Sequence, residues 1–147
     1  MSSPLPDDDP WARPEGVDDA TVQACCTLGE GMERLERARG HLYAFHQLMG
    51  RADFLFGDAA DELDDAGHTE LAELIRTDLV GRNVLEGRWT FQVVEEFDDS
   101  YYRPVVGIEE RVRNELLDGR RHVFEAELKE ARRTHRHPRH ERRPGSG

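Results

Sequence analysis

From Leu35 to Ala66 the apolar residues recur at spacings of three and four without interruption: Leu35, Ala38, Leu42, Phe45, Met49, Ala52, Phe56, Ala59, Leu63 and Ala66. That period is a heptad seam, the pattern by which one long helix packs along another. Large residues fill one seam position, while alanines and Phe45 fill the other, an alternation suited to close antiparallel packing. At about 1.5 Å of rise per residue the stretch makes a rod of roughly 48 Å, so something must run alongside it.

The flanking residues say what that partner is. Gly67 follows the seam where a left-handed residue ends a helix. Thr69 can cap a return helix with Glu70 and Glu73 in its favourable first turn. Leu71, Leu74, Ile75 and Leu79 are plainly helical, whereas Trp89-Thr90-Phe91-Gln92-Val93 alternates like a strand. A helix ending at Val80 would span only about 18 Å and leave half the seam bare. Continuing it places Val80, Val84, Gly87, Phe91 and Val94 at helical spacing, so the pattern predicts a second long helix bent near Gly81 or Gly87.

The fold expected is all-α: an antiparallel bundle of long helices over about 31–66, 69–97 and 104–133. A short helix over 20–28, capped by Asp18 or Asp19, precedes them and is separated from the long helix by Gly29 and Gly31. Pro104 suits the first turn of the last helix, which Gly119 breaks or kinks. Tyr43, Gly50, Phe54 and Gly57 mark a second face of the long helix, which motivates completion of the bundle by dimerisation.

Three regions follow: an acidic arm over 1–19 that is disordered or loosely docked through Trp11, a helical domain over 20–133, and a disordered basic tail over 134–147. The chain carries a net charge of −11, yet seven basic side chains against two acidic ones give residues 129–147 a net +5, leaving −16 on residues 1–128. A body so acidic repels polyanions, and the tail has no aromatic residue on which a base could stack, so a nucleic-acid partner is disfavoured. No apolar run approaches a membrane span and no leader pattern opens the chain, so a cytoplasmic protein is expected. Adjacent Cys25 and Cys26 read as reduced thiols.

The common catalytic signatures are absent: no Glu-x-x-His pair, zinc motif, phosphate-cradling glycine loop or nucleophile elbow occurs. Glu33 and Glu36 with Glu62 and Asp65 pair carboxylates as a magnesium site would, but Glu33 and Glu62 lie about 43 Å apart on a straight helix. They read as a solvated acidic face, and neither a metal nor a cofactor is specified. The best local constellation comes from the hairpin itself. A turn at Gly67 and His68 sets Asp53 level with Arg82, Met49 with Glu86, and His46 with Trp89. His46, Asp53, Arg82, Glu86 and Trp89 together could bind a small anion or support acid–base chemistry. Against that stands the simpler reading, in which Arg82 pairs with a neighbouring carboxylate and His46 packs on Trp89. The function expected is therefore that of a helical interaction or oligomerisation protein, a homodimer or higher homo-oligomer, or a protein's partner. The alternative is a small-molecule- or metal-binding bundle enzyme using those five residues.

Overall fold

The computed structural model describes residues 4–145. The protein is all-α: α1 (Asp19–Asp65), α2 (Thr69–Asp78), α3 (Thr90–Phe97), a π-helical turn (Asp98–Tyr102), α4 (Arg103–Leu117) and α5 (Val123–Arg132). No strand occurs among the described residues; a single isolated bridge joins Leu85 and Arg88. None of the helices is long and apolar enough to cross a membrane. Two compact units divide the chain, Leu35–Pro104 and the combination of Met1–Arg34 with Val105–Gly147.

Helix α1 begins where the sequence offers a cap, with the Thr21 amide donating to the Asp18 carboxylate at 2.8 Å. That bond holds the Asp18 carboxyl below its usual range. The expected separation at Gly29 and Gly31 does not occur, and α1 runs unbroken through both and on through Gly50 and Gly57. Each helical glycine costs only about 1 kcal/mol relative to alanine, too little to break a helix whose neighbouring turns are well formed.

In the Leu35–Pro104 unit, α1 ends as expected at Gly67, whose φ of 87° lies in the left-handed region. The His68 amide donates to the Leu63 carbonyl at 2.8 Å and the Gly67 amide to the Asp64 carbonyl at 2.9 Å, the paired bonds of a Schellman motif. Thr69 is the first residue of α2 rather than its cap, and His68 takes the cap position. The single return helix over 69–97 is corrected to two short helices joined by turns. Gly81 and Gly87 both adopt positive φ, 74° and 69°, which no right-handed helix can contain. The strand-like stretch opens α3, because the Gln92 side chain accepts the Trp89 amide at 2.7 Å and fixes a helical first turn.

The return nevertheless keeps the expected register. His46 meets Thr90, one residue past Trp89, and Asp53 meets the Gly81 amide, one residue before Arg82. The two alanines Ala60 and Ala72 are fully buried. Nearer the hairpin's closed end, Arg76 bridges Asp61 at 2.7 Å and Asp64 at 2.5 Å.

In the other unit, Val22, Leu117 and Val123 form a small core with Val17 and Cys25 against it. The helix expected over 104–133 is interrupted: α4 stops at Leu117, and left-handed Asp118, Gly119 and His122 carry the chain into α5. The acidic arm docks on α5, with Val17 against this core. Leu5, Asp9 and Ala12 are buried, and Arg13 grips Glu127 of α5 through two bonds of 2.7 and 2.8 Å while also pairing with Asp19. At the basic tail, Arg142 reaches the buried Asp9 carboxylate at 2.9 Å, and Lys129 donates to the Arg142 carbonyl at 2.9 Å. The ends of the arm and tail, residues 1–3 and 146–147, lie outside the described residues. Burial of Cys25 and Cys26 pushes both thiols above their usual range, keeping them protonated.

The Arg13 side chain is only 7% exposed, so deleting it leaves the Glu127 carboxylate, itself 15% exposed, without its partner. Arg13→Ala is therefore expected to cost about 2–3 kcal/mol in urea unfolding and to speed amide exchange over residues 5–17. An unchanged midpoint with unchanged exchange would show that the arm is held by other contacts.

Candidate functional site

The hairpin's polar residues are used mainly to fasten the return segment to α1. His46 lies on the inner side of α1 and shares a 2.8 Å hydrogen bond with Thr90, which is 2% exposed. Asp53, two turns further on, accepts the Gly81 amide at 2.7 Å and so terminates the turn that follows α2. Trp89 is half-buried beside Thr90, whereas Arg82 and Glu86 are exposed on the connecting turns. Of the five candidate residues, His46 is thus brought to the Trp89–Thr90 step and Asp53 to the residue preceding Arg82. Neither His46 nor Asp53 is hydrogen-bonded or ion-paired to Arg82, Glu86 or Trp89, and Glu86 gives its carbonyl to Arg88 at 3.2 Å. Arg88 itself closes on Glu96.

A dense polar cluster lies at the open end of the hairpin, between the helices expected over 69–97 and 104–133. Asp98 and Tyr102 sit on the π-helical turn, whose wider spacing lets both reach α1. Arg39 holds Asp98 in a fork, Nε to Oδ1 at 2.9 Å and Nη2 to Oδ2 at 3.1 Å. Its guanidinium carbon lies 4.2 Å from the Tyr102 ring centroid and 5.3 Å from that of Tyr43, within cation–π range. The Tyr102 hydroxyl donates to Glu36 at 2.5 Å. The electrostatics agree with this geometry: the fork holds the Asp98 carboxyl below its usual range and raises Arg39, and the bond to the Glu36 carboxylate raises the Tyr102 phenol. Arg39 and Asp98 neutralise each other and the Glu36 carboxylate accepts the Tyr102 hydroxyl, so the cluster is built as a fastening between α1 and the return segment. The spacing of Glu36, Arg39 and Tyr43 on one helical face was the available signal for it.

The outer side of α1 differs. Phe45 is 40% exposed, Leu48 69%, Leu55 48% and Phe56 36%. With Ala52 and Ala59 these residues make a second seam, Phe45, Leu48, Ala52, Leu55 and Ala59, again spaced by three and four. It lies next to the seam read from sequence and shares its Phe45–Ala52–Ala59 row. Of the second face expected at Tyr43, Gly50, Phe54 and Gly57, Phe54 is 71% exposed, while Tyr43 lies at the Arg39 cluster.

In the other unit a cavity of about 240 Å³ lies between the N-terminal segment and α5, lined by the apolar Leu5, Trp11, Ala126 and Pro144 together with the polar Asp9, His122, Glu125, Lys129 and Arg142. Ligand pockets usually run from about 300 to 1,000 Å³, so this one is small for an organic substrate. No group of three or more His, Cys, Asp or Glu side chains is arranged to hold a metal ion among the described residues. Comparison with known proteins gives no match to a family model, a curated protein or a solved structure.

The Arg39–Asp98 fork makes a pH prediction. A carboxyl depressed in the folded protein contributes stability that is complete above its unfolded value, near 4, and is lost as pH falls through the folded value. Asp98→Asn is expected to lower the melting temperature at neutral pH by about a few degrees at most and to flatten the decline in stability on acidification below about pH 4. A variant that keeps the acid sensitivity of the parent would assign that sensitivity to other carboxylates.

Proposed function

We propose that the protein is a non-catalytic helical association protein that docks to another protein chain through the outer side of α1. The observation that carries this reading is the run Phe45, Leu48, Ala52, Leu55, Ala59. It is a continuous apolar seam on one side of a regular helix, with Leu48 69% exposed and Leu55 48% exposed. Isolated exposed hydrophobes are ordinary on protein surfaces, but a row with heptad spacing has the geometry that another helix requires. Burying a leucine of this kind contributes about 1.5–3 kcal/mol, so a few such residues suffice to hold a partner. Further support comes from the rival site, where one ring nitrogen of His46 and one carboxylate oxygen of Asp53 are engaged by Thr90 and Gly81 within the chain.

A photo-crosslinking amino acid placed at Leu48 tests the reading in intact expressing cells. One protein adduct of defined mass is expected, and Leu55→Glu should abolish it while leaving helical content unchanged. If position 48 gives no adduct, or an adduct indifferent to Leu55→Glu, the outer side of α1 is not the association surface.

A further inference from the structure

We infer that the occupant of the outer seam is a second copy of this chain, packed antiparallel about a two-fold axis between Asp53 and Phe54. This rests on the reading of that side of α1 as an association surface. The residues that flank the seam select this partner and this register. On one flank stand Arg51 and Asp58, seven residues apart and therefore in line along the helix. Both are exposed, and neither has an ion-pair partner within the chain among the described residues.

Antiparallel packing brings like flanks together, so this flank meets itself in reverse. With the axis between Asp53 and Phe54, Arg51 faces the partner's Asp58 and Asp58 faces the partner's Arg51, giving two symmetric ion pairs. At its centre the same register sets large side chains against small, Leu48 against the partner's Ala59 and Ala52 against the partner's Leu55, while Phe45 at the seam's end falls level with the partner's Glu62. The opposite flank brings Met49 alongside the partner's Phe56. Alternatives lose this match. Sliding the helices by one heptad sets Arg51 against the partner's Arg51, and a parallel pair sets Arg51 against the partner's Phe56, leaving Asp58 without a cation. Self-complementarity of charge and size in one register is what a two-fold interface demands and what an unrelated partner would not require.

Charge reversal in the full-length protein tests the register, with the dimer dissociation constant read by sedimentation equilibrium at low salt. Arg51→Asp alone and Asp58→Arg alone each set like charges together twice, and each is expected to raise the dissociation constant about ten-fold or more. The double variant Arg51→Asp/Asp58→Arg should return it to within about three-fold of the parent. Both positions are exposed, so circular dichroism should show unchanged helicity in all three. A parent protein that sediments as a monomer at tens of micromolar overturns the second copy as occupant, even where the crosslink at Leu48 reports another partner. A dimer broken by Leu55→Glu but indifferent to both charge reversals overturns the register while the association surface stands. In a Cys25→Ser/Cys26→Ser background, Ala59→Cys places its thiols far apart in the antiparallel dimer, so efficient disulfide formation between copies would overturn the orientation.

Discussion

Helix α1 carries apolar residues around more of its circumference than one return path can cover, and the organisation of the Leu35–Pro104 unit follows from that. The return segment crosses a single side, marked by the Glu36–Tyr102, Arg39–Asp98, His46–Thr90, Asp53–Gly81 and Arg76–Asp64 contacts. Those contacts are hydrogen bonds and ion pairs that specify position closely. The apolar residues outside their span, Phe45, Leu48 and Leu55, are left to solvent. A helix can be fully helical by its own periodicity and yet lack enough chain to bury what that periodicity presents.

Which parts were legible in the sequence follows from the range of the interactions involved. The long helix and its end at Gly67 depend on local chemistry, a three-four repeat followed by a left-handed glycine, and both are present in the structure. The hairpin register, expected from the turn position alone, agrees to within one residue at His46 and at Asp53. The continuous return helix was wrong for an identifiable reason. It assumed that covering the seam requires helix, whereas turns closed by Val80–Ile75, Arg82–Leu79 and the Leu85–Arg88 bridge advance slowly enough to keep pace with α1. Gly81 and Gly87 were recognised as weak points, but only their positive φ turns a bend into a break.

The candidate site was less legible. Two heptad seams one position apart share the Phe45–Ala52–Ala59 row, and periodicity alone does not say which of them faces the protein's own return segment. The choice is made by the tertiary contacts of Arg39, His46 and Asp53, which turn the adjoining side of α1 inward. The π-helical turn is hidden from pattern reading for a similar reason. Asp98 and Tyr102 gain meaning only once Arg39 is opposite them, 59 residues away in the chain for Asp98.

This division of labour has a thermodynamic consequence. Partly exposed ion pairs contribute little net stability, so the polar contacts that set the hairpin's register do not by themselves make the unit robust. Its buried hydrophobic side chains are few and small: Ala60 and Ala72, with Val94 the largest. Burial of the outer seam on association would add apolar area to the same helix that carries those contacts, and at about 25 cal/mol per Å² even a few hundred Å² exceeds what a surface ion pair supplies. Association and folding of this unit are then linked, because a partner that binds only the ordered helix stabilises it by mass action. On the proposed association, the seam along α1 is where the unit's stability would depend on what lies against it.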